Sequence, residues 1–303
     1  MKRILLRSTL VLVALALLAG LAFFLRPISC MLHYAYLREA LGGVESHTLS
    51  VEGHTMHYLV EGPKDGPTVV LVHGLGGSAE DWRQLAPLLA QAGYRVYSPE
   101  LFGYGRSDKP ADFSYSPQSE ADAVVVFLDA LHLQKVNLGG WSMGGWIVQL
   151  IAAEHPEHVH KLILFDSVGL YQPPTWDTRL FIPKTASELD QLEALLMPHP
   201  QHAPGFVVRD ILRFSEERGW IIQRALNAML SGKETTDHLL PTLKMPVLIV
   251  WGTADHIAPL SEGTAMHALI PQSEMVLAPE CGHLAPRQCV STYEPQLEAF
   301  LKR

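Results

Sequence analysis

Residues 140–144 of this 303-residue chain read Gly-Trp-Ser-Met-Gly, a pattern in which the serine hydroxyl can act as a nucleophile. An apolar run at residues 136–139 precedes the pattern, and the mostly apolar residues 145–153 follow it. This order predicts a strand, a tight turn that carries Ser142, and a helix whose free N–H groups point at the serine. The flanking glycines keep side chains out of the crowded turn.

A serine hydroxyl becomes a strong nucleophile only when a base takes its proton, and an acid must orient that base. Asp255 follows the apolar run at residues 245–251, and His283 follows a second run at residues 275–278. Ser142, Asp255 and His283 therefore stand in the chain order serine, acid, histidine, each after a predicted strand. The sequence predicts that they form a catalytic triad.

The choice of acid has an alternative. Asp166 directly follows the predicted strand at residues 162–165, so it can also reach the same edge of a sheet. Its simpler interpretation is a residue that ends this strand or bonds to the next turn. Asp255 has a simpler interpretation too, because aspartates in loops often cap helices. The chain also has 15 histidines, so one histidine near a strand end is a weak signal by itself.

Two backbone N–H groups are expected to hold the negative charge that develops on the substrate oxygen. One is expected from Met143, the residue after the serine. The other is expected from Leu75, in the His-Gly-Leu-Gly-Gly loop at residues 73–77, which follows a predicted strand at residues 68–72. This chemistry requires neither a metal ion nor an organic cofactor.

The same loop also fits a dinucleotide-binding turn. Residues 74–79 match Gly-x-Gly-x-x-Ala between a predicted strand and a predicted helix. Glu100 ends the next strand, near the place where such folds hold a ribose-binding acid. We favour the Ser142 site, because it already accounts for the loop.

Other candidates for metal or redox chemistry are weak. Three histidines follow the helix after Ser142, where a polar helix end is a simpler interpretation than a metal site: His155, His158 and His160. The three cysteines are Cys30, Cys281 and Cys289, an odd number that gives no disulfide framework. Cys281 and Cys289 can pair with each other or remain two free thiols.

Composition excludes some classes of function. The chain is 48% hydrophobic and 18% charged, which is typical of a globular protein with a sizeable core. Its 23 Lys and Arg residues against 31 Asp and Glu residues give a net charge of −8. Such an acidic balance argues against a nucleic acid as the partner.

The N-terminus resembles a membrane anchor. Residues 8–25 carry no charge, and with the apolar residues 4–6 in front they are just long enough to span a bilayer. No small-x-small cleavage site follows, so we expect an uncleaved anchor over residues 1–26, with a cleaved secretion signal as the alternative.

Charge around this segment predicts its orientation. Lys2, Arg3 and Arg7 precede the apolar run, whereas Arg26 alone follows it closely. The excess of positive charge is expected to keep the N-terminus in the cytoplasm. The catalytic part would then lie on the non-cytoplasmic side, in the periplasm if the source is bacterial.

The remaining chain predicts an α/β fold. A helical connector is expected over residues 27–45, followed by a hairpin over residues 47–61. Strands then alternate with helices, two of which are expected at residues 81–92 and 117–131. Such alternation predicts a mostly parallel sheet covered by helices on both faces.

Residues 170–240 break this rhythm, with several prolines and two helical stretches, at residues 186–197 and 205–230. We predict that they form a helical cap inserted between strands 6 and 7, over a core made of residues 46–169 and 241–303. The cap is expected to shape the substrate pocket. Several of its apolar residues are candidates for lining it, although packing on the core is the simpler role for each: Leu180, Phe181, Leu195, Leu196, Met197, Phe206 and Phe214.

Five motifs together resemble the α/β-hydrolase superfamily over roughly residues 45–303. They lie at residues 73–77, 103–107, 140–145, 251–255 and 281–283. Within the superfamily, the anchor, the Ser-Met-Gly-Gly turn and the compact cap look like the membrane-anchored monoacylglycerol lipase branch and similar bacterial lipases and esterases. Two positions depart from the pattern: Glu100 stands where members often have Asp, and Ala-Pro-Arg at residues 285–287 replaces an acid-Pro pair.

The resemblance implies a serine hydrolase that cleaves carboxylic esters, with monoacylglycerols or short-to-medium acyl esters as substrates. The same triad can also cleave C–C bonds or thioesters, and a fold alone does not fix the function. A catalytically silent hydrolase fold that only binds a ligand is the alternative outside enzymes. The expected partners are a small ester or lipid substrate, and a membrane through the N-terminal helix.

Overall fold

A computed structural model describes residues 2–303, apart from the side chains of residues 2–7 and Leu10. The predicted orientation of the N-terminus depends on the side chains of Lys2, Arg3 and Arg7, which lie outside the described part. The predicted α/β architecture is confirmed: the chain forms an eight-stranded, mostly parallel sheet with helices on both faces.

The strands of this sheet follow the order β1-β2-β4-β3-β5-β6-β7-β8. Strands β3 to β8 run parallel to one another, and β1 and β2 are antiparallel to their neighbours. Their bounds are β1 Glu45–Val51, β2 His54–Glu61, β3 Thr68–Val72, β4 Arg95–Pro99, β5 Val136–Trp141, β6 Val159–Phe165, β7 Val247–Gly252 and β8 Ser273–Ala278.

The helices lie before, between and after these strands. Their bounds are α1 Lys2–Leu25, α2 Pro27–Gly42, α3 Ala86–Gln91, α4 Pro117–Ala130, α5 Met143–Glu154, α6 Ala186–Leu196, α7 Gly205–Met229, α8 Leu260–Leu269, α9 Ala285–Gln288 and α10 Val290–Lys302. The insertion that holds α6 and α7 lies between β6 and β7, where the sequence predicted a cap.

The first two strands form the hairpin predicted from the sequence. Strand β1 pairs with β2 so that Val51 lies opposite His54. The two turn residues between them, Glu52 and Gly53, have φ angles of 52° and 83°. Two positive φ angles are typical of the tight turns whose twist matches that of antiparallel strands.

Alternate residues of the central strands pack against different helical layers. In β6, Leu162 and Leu164 pack with residues of α4, α5 and α8, whereas Ile163 and Phe165 pack with residues of α3 and α10. Burial of each such side chain stabilises the fold by about 1.5–3 kcal/mol. Two apolar layers therefore hold the sheet rigid from both sides, and its strand ends can position a site.

The single helix predicted at residues 81–92 is wrong in extent. The structure has a short 3₁₀ turn, Ala79–Trp82, and a separate helix α3. Pro87 has no N–H group and is tolerated only in the first turn of a helix, so α3 begins just before it. By contrast, α4 begins as predicted, with the Ser116 side chain accepting a hydrogen bond from the Ser119 N–H.

The N-terminal helices meet at a sharp bend. Arg26 has non-helical angles (φ −139°, ψ 57°), because a residue before proline disfavours the helical conformation. Among the residues with described side chains, no single helix is long and apolar enough to cross a bilayer. The bent pair Val11–Leu25 and Pro27–Gly42, at 114°, meets the length and composition requirements together.

Helix α2 lies against the rest of the chain through polar contacts. The Arg106 guanidinium donates to Glu39 over 3.0 Å and lies 4.1 Å from the centre of the Tyr36 ring. The Ile28 N–H donates to the carboxylate of Asp210 on α7 over 2.8 Å. These contacts fix the N-terminal segment relative to both the sheet and the insertion.

Candidate active site

Ser142 lies in a strained turn between β5 and α5, with φ 56° and ψ −120°. A positive φ at a non-glycine residue costs of order 1–3 kcal/mol and persists only where the surroundings enforce it. Here close packing around the turn holds Ser142 in this conformation. A Cβ atom on Gly140, for example, would lie 2.2 Å from the Gly144 carbonyl oxygen. A Cβ atom on Gly144 would lie 2.3 Å from the Val72 oxygen, so only glycine fits at either place.

The structure brings Ser142, Asp255 and His283 together in one chain of hydrogen bonds. The Ser142 Oγ lies 2.8 Å from His283 Nε2, and the His283 Nδ1 lies 2.7 Å from Asp255 Oδ2. All three residues are buried. Because a carboxylate only accepts, Nδ1 carries the proton and Nε2 is free to accept the serine hydroxyl proton.

Backbone groups hold Asp255 and His283 in place. The second carboxylate oxygen of Asp255 accepts hydrogen bonds from the N–H groups of Ile257 and Ala258, at 2.8 and 3.0 Å. The Trp141 indole N–H donates to the His283 carbonyl oxygen over 2.7 Å. Asp255 therefore organises its own loop while its other oxygen faces the histidine, and it does not cap α8, whose N-cap residue is Pro259.

Asp166, the alternative acid, lies outside this chain of hydrogen bonds. Its Oδ1 accepts from the Gly252 N–H over 2.7 Å, and no described hydrogen bond joins it to His283. Burial, together with the nearby charge of Asp255, holds the pKa of Asp166 well above its usual range. Its carboxyl group therefore serves the backbone of β7 and not the histidine.

The loop that contains Leu75 approaches Ser142 closely. A Cβ atom on Gly74 would lie 3.1 Å from the Ser142 Cβ, and Leu75 lines the same cavity as the serine. Met143 is the first residue of α5, so its N–H has no acceptor within the helix. Both predicted donors thus belong to backbone segments that adjoin Ser142.

His73 fixes this loop, a role that the sequence motif alone did not assign. Its Nδ1–H donates to the Gly74 carbonyl oxygen over 2.8 Å, and its Nε2 accepts from the Leu101 N–H over 3.0 Å. Burial lowers the pKa of His73, which keeps the ring neutral and able to accept. The signal available in the sequence was its position directly after β3.

The structure pairs Cys281 with Cys289, a choice that the sequence left open. The two Cα atoms lie 6.2 Å apart, within the range for disulfides. The Cys281 carbonyl oxygen accepts from the Ala254 N–H over 2.8 Å. The bridge therefore ties the start of the His283 loop to the junction of α9 and α10, and the hydrogen bond from Ala254 joins the same loop to the loop of Asp255.

Ser142 opens into a cavity of about 450 Å³ between the sheet and the insertion. Of the seven cap residues considered from the sequence, only Phe181 belongs to its described lining. Phe206 instead stacks on Phe24, with ring centres 5.2 Å apart, and Leu196 and Met197 pack on the core. The apolar walls come mainly from other residues: Trp146, Val168, Leu170, Trp176, Leu226, Met229 and Leu230.

The dinucleotide interpretation finds no support in the geometry of Glu100. This side chain is 1% exposed and accepts a hydrogen bond from the Arg106 N–H over 2.6 Å. It also lies 3.0 Å from His57 Nδ1, so its oxygens face the protein. The loop that would bind the pyrophosphate lies beside Ser142 instead.

No group of three or more histidine, cysteine or acidic side chains is arranged for a metal ion in the described part of the chain. Two of the three clustered histidines lie near acids: His155 is 3.6 Å from Glu157, and His158 is 3.4 Å from Asp129.

Comparison with known proteins agrees with this geometry. The family model for the alpha/beta hydrolase fold matches residues 67–286. Lipase 1 of Psychrobacter immobilis is 27% identical, over 85% of this chain and 83% of the relative. The 2-hydroxymuconate semialdehyde hydrolase of a Pseudomonas species is 27% identical, over 72% of this chain and 81% of the relative.

A solved structure adds a further likeness. The crystal structure of a membrane phospholipase A, described as a bacterial virulence factor, is 27% identical. The structural match covers 100% of this chain and 98% of the phospholipase chain, with a TM-score of 0.82. Since the family model spans well over half of the sequence, the chain belongs to the α/β-hydrolase superfamily and is similar to bacterial lipases.

Proposed function

We propose that the protein is a serine hydrolase that cleaves carboxylic esters through an acyl-enzyme intermediate. The observation that carries the proposal is the unbroken hydrogen-bonded chain from Ser142 through His283 to Asp255, at the wall of an apolar cavity. In this arrangement the serine has a base within reach and the base has an orienting acid, as nucleophilic catalysis requires.

In the first half-reaction, His283 Nε2 takes the hydroxyl proton as Ser142 Oγ attacks the ester carbonyl carbon. The N–H groups of Leu75 and Met143 hold the oxyanion of the tetrahedral intermediate. The intermediate collapses, the C–O bond to the alcohol breaks, and the imidazolium gives its proton to the leaving alkoxide. Asp255 stabilises the imidazolium throughout.

In the second half-reaction, His283 takes a proton from water, whose oxygen attacks the acyl carbon. The bond to Ser142 Oγ then breaks, and the imidazolium returns the proton to the serine. The products are a carboxylic acid and the free enzyme. These steps use only the side chains and backbone groups already described.

The lining of the cavity and the relatives support an acyl substrate. Apolar side chains from the core and the insertion form most of the cavity wall, which suits a hydrocarbon chain. Relatives named lipase and phospholipase share the fold over most of the chain. We therefore favour monoacylglycerols or short-to-medium acyl esters as the substrates.

We further propose that residues 170–240 act as the cap over the site and that the N-terminal helices attach the protein to a membrane. Exposed apolar side chains run along α1 and continue on α2: Leu12, Leu17, Leu18, Met31, Tyr34, Leu37 and Leu41. The Cys281–Cys289 disulfide favours a catalytic domain in an oxidising, non-cytoplasmic compartment.

Hydrolysis of p-nitrophenyl esters with increasing acyl length tests the proposed chemistry. We expect turnover by the full chain and a fall in kcat of about 10⁴- to 10⁶-fold in Ser142→Ala. Ser114→Ala, at an exposed serine, is the matched control and should retain activity. Full activity of Ser142→Ala would contradict the proposal. Hydrolysis of 2-hydroxymuconate semialdehyde without any ester cleavage would favour the activity named for the second relative.

A further inference from the structure

Glu262 is a carboxylic acid in the wall of the cavity that holds Ser142. It lies in the first turn of α8, is 4% exposed, and lines the cavity beside Ile257 and Pro259. Among the described lining residues it is the one carboxyl group, and none of them is lysine, arginine or histidine. The mechanism above gives this side chain no task.

No described ion pair includes Glu262, although burial of an unpaired carboxylate is costly. The charged groups that face it are acids: Asp255 from the loop after β7 and Asp237 from the segment after α7. Tyr171 lines the same cavity from the segment after β6.

Burial and the charge of Asp255, with a smaller contribution from Asp237, raise the pKa of Glu262 to about 8. A hydrogen bond from the Leu170 backbone acts in the opposite direction. The carboxyl group is therefore protonated at neutral pH. Glu262 lines the cavity, so its protonated form carries an O–H donor there, and this donor is lost as the pH rises through about 8.

We propose that Glu262 is a specificity-determining residue, whose protonated carboxyl group donates a hydrogen bond to an uncharged oxygen in the alcohol part of the ester. The inference rests on the proposed ester hydrolysis at Ser142. The apolar walls suit the acyl chain, so the polar donor suits the part of the substrate that carries additional oxygen atoms. The class of substrate selected is an ester of an oxygen-rich alcohol, such as a glycerol ester.

A pair of isosteric substrates tests this contact. A 2-methoxyethyl ester and a butyl ester of the same acid differ only in that an ether oxygen replaces one methylene group. The readout is the kcat/KM for the 2-methoxyethyl ester divided by the kcat/KM for the butyl ester, because any change in the shared triad affects both esters alike. Loss of one neutral hydrogen bond is expected to change this ratio about 3- to 10-fold.

For the unmodified protein, we expect this ratio to fall between about pH 6.5 and about pH 9, as the carboxyl group ionises. Glu262→Gln keeps an N–H donor that does not titrate, so the ratio should stay high at both pH values. Glu262→Leu has no donor, so the ratio should be low at both. Glu157→Gln, at an exposed carboxyl group, should behave like the unmodified protein.

Three results would overturn the inference. An equal ratio in the unmodified protein and both Glu262 variants at both pH values would mean that the side chain does not contact the alcohol. Equal losses for both esters in the Leu variant, which leave the ratio as in the unmodified protein, would assign the side chain a structural role only. Absence of hydrolysis of either ester by the unmodified protein would instead reject the proposed function, and this inference with it. If the Leu variant does not fold, the pH dependence of the ratio in the unmodified protein and in Glu262→Gln still tests the inference.

Discussion

At the residue scale, two buried aspartates near the site differ in what their carboxyl groups contact. One oxygen of Asp255 accepts two backbone N–H groups, and the other lies 2.7 Å from His283 Nδ1. Asp166 accepts from the Gly252 N–H instead, and burial and the charge of Asp255 raise its pKa. Only Asp255 is placed to stabilise a developing imidazolium.

This difference gives a direct prediction for paired substitutions. Asp255→Asn should lower kcat by about 10⁴-fold, because an amide no longer stabilises the imidazolium or fixes its tautomer. Asp166→Asn keeps an oxygen that can accept from the Gly252 N–H, and no described hydrogen bond joins Asp166 to His283, so kcat should change by only a few-fold. Steady-state ester hydrolysis by the two purified variants measures both values, and the reverse order of losses would make Asp166 the catalytic acid.

At the element scale, the ends of β5, β7 and β8 position the three residues of the proposed triad. Ser142, Asp255 and His283 could be selected from the sequence because each follows an apolar run and their order matches the fold. Glu262 was missed because its environment is not local: the acids that face it come from separate loops. The pairing of Cys281 with Cys289 could not be decided from the sequence, because spacing along the chain does not give the distance between two Cα atoms.

The disulfide is expected to stabilise the loop that carries His283. Closure of so short a loop between Cys281 and Cys289 is worth roughly 2–3 kcal/mol in the chain-entropy description. Cys289→Ser should therefore lower the free energy of unfolding by about this amount and abolish the effect of a reductant on stability. Denaturant unfolding with and without reductant measures both effects.

Cys30 provides the matched control for this experiment, because it is a free thiol on α2. Cys30→Ser should leave the response to the reductant unchanged. If the reductant destabilises Cys289→Ser as much as the unmodified protein, the bridge does not carry the stabilisation.

At the scale of the whole molecule, a rigid catalytic core is joined to an exposed apolar pair of helices. The core and its insertion could be predicted from the alternation of strands and helices. The 114° bend between α1 and α2 was not predicted, because the effect of Pro27 on Arg26 is local, whereas the direction of α2 depends on its contacts with Arg106 and Asp210. The bend places α2 against the insertion.

A single charged substitution in α1 tests membrane attachment through these helices. Leu17→Arg places a cation on α1 at a side chain that is 70% exposed, and a charge in the middle of a membrane helix costs about 2.5–3.5 kcal/mol. We expect the full chain in the membrane fraction after an alkaline wash, and a larger soluble share for Leu17→Arg. Leu88→Arg, at an exposed leucine of the core, is the control. A soluble unmodified chain would refute the attachment.

The most direct test of the central claim is covalent labelling of the intact protein with a fluorophosphonate, followed by mass spectrometry of the modified peptide. We expect one phosphonylated residue, Ser142, because His283 Nε2 lies within hydrogen-bond distance of its hydroxyl and can take its proton. Asp255→Asn should slow the labelling strongly. Absence of any label on the folded protein, or a label on another serine that persists in Ser142→Ala, would contradict the proposed mechanism.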